Sequence, residues 1–276
     1  MDKVHRLNFN LSDLPDLHIK GVAKRKHLEL PLLYKVRELD CLEYEGLNVV
    51  EGDILLSPPE MQAEPVVSSW KNLWGTLGHT VPTQTDESHD YRWPDGVITY
   101  TSQGSIEQLV LNAIAHWESL TPFKFIHLTQ SDSLDYVSFV ASDQNASYIG
   151  RQGQKQIVKL VATTEPKKAG WAIHEIGHVI GLYHEHCRID RDQYISINLE
   201  NIRNEIYKVQ FQPISENAEL IGSYDYQSQM HYPEDAFAIN GSKTIVRKDG
   251  EALGERCGLS LGDIAACKAL YPELDW

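Results

Sequence analysis

Cysteine is scarce in this chain: four residues in 276, at Cys41, Cys187, Cys257 and Cys267. That excludes the disulfide scaffold by which small secreted domains replace a core. Positive charge is also in deficit, with 25 Lys and Arg against 39 Asp and Glu and a formal net charge of −14. No nucleic acid and no anionic membrane is therefore expected as a partner. No apolar run approaches the roughly 20 residues a membrane span requires. Met1-Asp2-Lys3-Val4-His5-Arg6 opens without the apolar stretch of a signal peptide. Either a leader has been trimmed, or export follows a signal-peptide-independent route, injection into another cell included. Basic processing signals are few as well: between Asp53 and Trp93 only Lys71 and Arg92 occur, and Lys24-Arg25-Lys26 reads as a solvated patch.

What is present suffices for one substantial domain and an extension, since 42% of the residues are hydrophobic. Val97–Thr101 reads as a strand. Over Ser105–Ser119, Ile106, Leu109, Val110, Ala113, Ile114 and Trp117 fall on one helical face. Phe123–Leu128, Tyr136–Val140 and Gln156–Thr163 alternate or run apolar, as strands do. A helix is expected from about Ala169 to Ile180 and another near Leu261–Leu270, with loops after His184. The expected class is α/β.

The most informative stretch is His174-Glu175-Ile176-Gly177-His178-Val179-Ile180-Gly181-Leu182-Tyr183-His184. Histidines at i and i+4 share one helix face and can grip one metal ion. Gly181 tolerates the positive φ that ends a helix and turns His184 back as a third nitrogen donor. Three protein ligands leave a coordination position open, as catalytic zinc sites do. Glu175 lies beside them as a general base. The bland reading is three ordinary histidines near a helix end. The spacing HExxHxxGxxH fixes five positions in eleven, and Ser228-Gln229-Met230-His231-Tyr232 follows with the methionine this signature requires.

Further residues narrow the resemblance. Glu185, Arg188, Asp190, Arg191 and Asp192 extend the histidine motif to HExxHxxGxxHExxRxDRD, and Tyr224-Asp225-Tyr226 leads into Met230-His231-Tyr232. Arg92-Trp93-Pro94-Asp95-Gly96-Val97 and Leu259-Ser260-Leu261-Gly262-Asp263-Ile264 resemble the start and end of an astacin catalytic domain. From about residue 85 to 272 the chain thus resembles the astacin zinc metalloproteases, a branch of the metzincins. The resemblance implies a two-lobed zincin-like domain with a twisted mixed sheet, a zinc-site helix and a loop-rich C-terminal lobe.

It also implies roles. His174, His178 and His184 would hold one catalytic Zn2+, and Glu175 would move a proton from the attacking water to the leaving amine. Tyr232 resembles the family tyrosine that ligates zinc at rest and then stabilises the oxyanion; the alternative is a packed aromatic. Met230 would form an apolar floor. Glu185 matches the glutamate that meets the new amino terminus, or it orients a ligand histidine from behind. Arg188, Asp190 and Asp192 read as a structural charge network. Ser147-Tyr148-Ile149-Gly150-Arg151 resembles the edge strand on which a peptide substrate adds by backbone pairing.

Residues 1–84 resemble a propeptide and 85–276 a catalytic domain. Val50-Glu51-Gly52-Asp53 resembles the inhibitory FxGD motif with valine in place of phenylalanine. Asp53 is accordingly the candidate zinc-blocking residue of a latent form, with Cys41 as rival and an ordinary Gly-Asp turn as the plain reading. An activating protease would be a partner, acting near Gln84. The cysteines depart from the family, which carries two disulfides; here a bond is open only to Cys187, Cys257 and Cys267 within the catalytic part. The expected function is a latent zinc endopeptidase of protein or peptide substrates, secreted or exported. The competing class is a binding protein that keeps the frame without turnover.

Overall fold

The computed structural model describes residues 5–6, 22–30, 35–44, 47–50, 53–56, 80–82, 91–129, 135–163, 170–213, 218–254 and 258–276. Among the described residues six strands precede residue 91: β1 (His5–Arg6), β2 (Val22–Leu30), β3 (Lys35–Tyr44), β4 (Leu47–Val50), β5 (Ile54–Leu56) and β6 (Thr80–Pro82). Lys71, Gln84 near the expected mature start, and Cys257 lie outside the described residues. Cys41 lies on β3 across from Lys24.

The next strands are β7 (Val97–Thr101), β8 (Lys124–His127), β9 (Tyr136–Ser142), β10 (Ser147–Tyr148) and β11 (Lys155–Val161). Four of them build a parallel sheet in the order β11-β9-β7-β8. Parallel neighbours cannot be joined by a hairpin. The helix α1 (Glu107–Leu120) makes the crossover from β7 to β8 and buries Leu109, Val110, Ala113, Ile114 and Trp117. Expected and observed boundaries differ at the ends. Ser105 and Ile106 belong to a tight 3-10 turn, Gly104–Ile106, that leads into α1. Phe123 leaves the strand and is fully buried against Trp117 and Tyr271.

An isolated bridge borders one side of this sheet. Ala146 bridges Lys159 of β11 in antiparallel sense, with both backbone bonds made. On its other side β10 pairs in parallel with β5, Ser147 opposite Ile54 and Tyr148 opposite Leu55. The edge expected for substrate is therefore shorter than the five residues read from sequence, and it carries a strand of the N-terminal segment. Gly150, at φ 68°, turns the chain inward, so that its N–H donates to the His178 carbonyl at 2.8 Å and that of Arg151 to Tyr91 at 2.6 Å. Ile149, Gly150 and Arg151 spend their backbone donors or side chains inside the domain.

The helix α2 (Gly170–Ile180) is buried from Ala172 to Ile180. Trp117 and Trp93 donate their indole N–H groups to its Ile173 and Val179 carbonyls. It stops at Gly181, φ 127°, where Gly181 N–H meets the His178 carbonyl and Leu182 N–H the Gly177 carbonyl. Those two bonds satisfy carbonyls a helix end would otherwise leave open.

After α2 the chain is mostly turns, with β12 (Ile195–Ile197), β13 (Ala218–Leu220) and β14 (Ile245–Arg247) as short strands. β12 pairs with β14, and β13 with β6. A second hydrophobic core forms here around Tyr207, Phe211, Tyr232 and Phe237, and Val49 and Leu55 pack into it. The last helix, α3 (Leu261–Leu270), begins on a capping box between Ser260 and Asp263. Cys187 and Cys267 are buried thiols, so no bond joins them to each other. Among the described residues no helix is long and apolar enough to cross a membrane.

Candidate metal centre

Helical spacing sets two of the ligands. His174 and His178 stand one turn apart on α2, their rings edge to face at 4.7 Å. The turn at Gly181 returns His184 to them, stacked on His174 at 5.0 Å. Asp53 enters from a turn immediately before β5, whose Ile54 lies opposite Val50 of β4. Its carboxylate oxygens lie 3.4 Å from His174 Nε2, 3.6 Å from His178 Nε2 and 3.2 Å from His184 Nε2. Asp53, His174, His178 and His184 form a buried group whose ligand atoms all lie within 4.8 Å of one another.

The residues fit a divalent cation on the chemistry of their own atoms. His174 Nδ1 donates to the Gln229 carbonyl and His178 Nδ1 to that of Leu182, each at 2.8 Å. Those bonds fix the tautomer and turn each Nε2 lone pair inward. Burial lowers the His174 pKa to about 4 and lowers that of His178, so both are neutral at pH 7. Burial would raise Asp53, but the imidazoles around it, His184 foremost, hold its carboxyl well below the usual range. Acceptors thus face acceptors: Asp53 Oδ1, His178 Nε2 and Glu175 Oε2 have no hydrogen-bond partner. A buried anion among imidazole lone pairs is stable when it shares a metal. Three nitrogens and a carboxylate oxygen suit zinc.

Glu175 is buried, and burial together with the charge of Asp53 pushes its carboxyl well above the ordinary value. A cation on the histidines would pull it back toward ionisation. Tyr232 stacks on His186 at 3.8 Å and leans on His184 at 4.8 Å. Met230 is buried beneath α2, its sulfur 2.5 Å from where a Cβ on Gly177 would stand. Glu185 accepts from the Asp225 N–H at 2.8 Å and lies 3.5 Å from Arg188, which grips Asp190 through two nitrogens. The three histidines, Glu175, Tyr232, Met230 and Asp53 are thus brought together. Ser147 and Tyr148 are tied in through Asp53, whose carbonyl accepts from Ser147 N–H at 2.8 Å, and Gly150 N–H donates to the His178 carbonyl.

Sequence reasoning passes over the groups that aim the ligands. The Gln229 and Leu182 carbonyls carry no side-chain signature. Gly177 stands inside the motif as an unassigned position. Ser260 and Asp263 are readable as a capping box, but not as a contact with the Met230 loop.

Comparison with known proteins agrees with this geometry. The family model for the Astacin peptidase family matches residues 85–272. Nematocyst expressed protein 6 of Nematostella vectensis is 31% identical over 253 residues, 86% of this chain and 82% of that protein. Bone morphogenetic protein 1 of Xenopus laevis is 34% identical over 201 residues, 65% of this chain but 27% of the relative's length. Among solved structures, high choriolytic enzyme 1, a hatching enzyme zinc-protease from Oryzias latipes, is similar with a TM-score of 0.58 and 31% identity, covering 66% of this chain and 92% of that one. With three histidines and a glutamate gathered as their motif requires, and with that match spanning the whole region they occupy, the chain belongs to the astacin family of zinc metalloendopeptidases.

Proposed function

We propose that this chain is a zinc endopeptidase of protein or peptide substrates, held in a latent form in which residues 1–84 are a propeptide and Asp53 blocks the metal. The observation that carries the latency is Asp53 itself: a carboxylate supplied from outside residues 85–272 stands 3.2–3.6 Å from all three imidazoles. β5 supports the same reading, because its pairing with β10 occupies an edge on which an extended substrate could otherwise pair.

His174, His178 and His184 would hold the zinc, which supplies a Lewis acid that acidifies water and polarises a carbonyl. Glu175 receives the proton of the attacking water and delivers it to the departing amine. Tyr232 offers its hydroxyl to the developing oxyanion. Met230 supports α2 from below through Gly177. Removal of residues 1–84 by an activating protease would withdraw Asp53 and β5 together. Secretion or export, with or without a signal peptide, fits an enzyme activated by a separate protease.

The test is cleavage of casein by the full chain and by a chain trimmed near Gln84, each with and without a chelator. Activity only in the trimmed, zinc-loaded protein supports the proposal. An inert trimmed protein that retains zinc would instead make it a binding protein on an astacin frame.

A further inference from the structure

Asp263 lies outside the metal cluster and is fully buried at the start of α3. A capping box needs one of its oxygens, and Oδ2 serves, accepting from Ser260 N–H at 2.9 Å. The same oxygen accepts from Gln229 N–H at 2.8 Å. Oδ1 is surplus to capping and accepts from Ser228 Oγ at 2.7 Å. That hydroxyl, having given its proton, accepts from Met230 N–H at 3.0 Å. Met230 N and the Gln229 carbonyl belong to one peptide group, and that carbonyl accepts from His174 Nδ1 at 2.8 Å.

We propose that Asp263 is a positioning residue for the metal ligand His174, acting through Ser228 and the Gln229–Met230 peptide. The inference rests on the zinc-site reading above and deepens it. The polarity runs one way along the path. The carboxylate makes the Ser228 hydroxyl a better acceptor, donation from Met230 N–H leaves more negative charge on the Gln229 oxygen, and that oxygen holds the His174 Nδ1 proton more strongly. The result is an imidazole fixed in orientation and more electron-rich at Nε2, as when a carboxylate contacts a ligand histidine directly. Geometry reinforces the relay, because the Gln229 side chain also donates to the Gly170 carbonyl at the first residue of α2, at 2.9 Å. The loop and the helix that bears His174 are therefore locked in register. The Nδ1 bond of His178 ends instead on the Leu182 carbonyl, just past the helix terminus.

The test uses the full-length chain and does not depend on turnover. Zinc retention is titrated against a chromophoric chelator, and visible absorption of the cobalt(II)-loaded protein is recorded, for wild type, D263N, S228A, S260A and H174A. D263N keeps the shape and removes the charge; S228A breaks the relay at its hydroxyl while leaving the Asp263 bonds to Gln229 and Ser260. Both are expected to bind zinc about 10–100-fold more weakly and to shift the cobalt bands. S260A removes the capping hydroxyl, so it should lower the unfolding midpoint yet leave zinc affinity and the cobalt bands as in wild type. If S228A and D263N lower only the unfolding midpoint, Asp263 is a cap and the positioning role is overturned, while the zinc site stands. If wild type and H174A retain zinc equally, the site reading falls and this inference with it.

Discussion

The sulfur of Met230 occupies the space that a Cβ on Gly177 would need, 2.5 Å from that position. Two effects oppose one another in Gly177→Ala. Alanine gains about 1 kcal/mol of helix propensity, while forcing a methyl into a closed core costs about 1–3 kcal/mol. Methionine is flexible, but Met230 is buried and its backbone is held by Ser228 and Glu185. Overpacking should win, with a net loss of about 1 kcal/mol in urea unfolding. Adding Met230→Ala should make the glycine substitution favourable, so a double-mutant cycle on unfolding free energy reads the contact directly.

Acid should strip the metal and destabilise the fold in the same window. The His174 pKa is lowered from 6.5 to about 4, and burial lowers His178 and His186 too. Between these values the unfolded chain binds protons that the folded chain refuses, so stability falls as pH drops. Asp53, held low, adds to the loss in stronger acid as its carboxylate is protonated. Glu175 acts in the opposite sense, since its raised pKa contributes stability that is lost as pH rises. Three imidazoles outweigh one carboxyl, and protons also compete with zinc for the same nitrogens. Urea midpoints measured from about pH 7 down to about pH 4 should decline, with zinc release over the same range. A flat profile would contradict the assignment of neutral, buried imidazoles.

Arg188 is 1% exposed and fork-bonded to Asp190 at 2.8 and 2.9 Å, with Glu185, also 1% exposed, beside it. Arg188→Ala would leave Glu185 without this cation next to the third zinc ligand. Removing one partner of a buried pair costs about 3–5 kcal/mol. Arg188→Lys keeps the charge but loses the fork and the bond to the Gly222 carbonyl, so it should fall between wild type and alanine in urea unfolding.

The histidine spacing made α2 and the three imidazoles legible because a helix converts i, i+4 into one face and Gly181 supplies the turn; both are local rules. The stripe from Leu109 to Trp117 gave α1 in the same way. What was not legible is tertiary. The substrate edge reads as five residues, yet Gly150 N–H finds the His178 carbonyl and the strand ends at Tyr148. Asp53 could be named from its motif, but not the parallel pairing of Ile54 and Leu55 with β10 that holds it. Likewise Asp263 is read only as part of the domain's closing stretch, and the fold alone brings Ser228 to its second oxygen.

The proposed latency should separate into two parts, an electrostatic one at Asp53 and a packing one at Leu55. Asp53→Asn removes the anion and leaves the shape, so zinc in the untrimmed chain should lose the ligand proposed to block it while β5 still covers β10. Leu55 is fully buried in the core that includes Tyr232 and Phe237. Leu55→Ala should cost that contact about 2–5 kcal/mol, enough to raise the released fraction of β5 by a factor of roughly 30 or more. Each single variant of the untrimmed chain should cleave casein faster than wild type, and the double variant should approach the trimmed protein. The two sites are joined through the Asp53 carbonyl and Ser147 N–H, so their effects should couple rather than add. Equal, negligible activity in all three untrimmed variants, beside a fully active trimmed chain, would place the block elsewhere in residues 1–84.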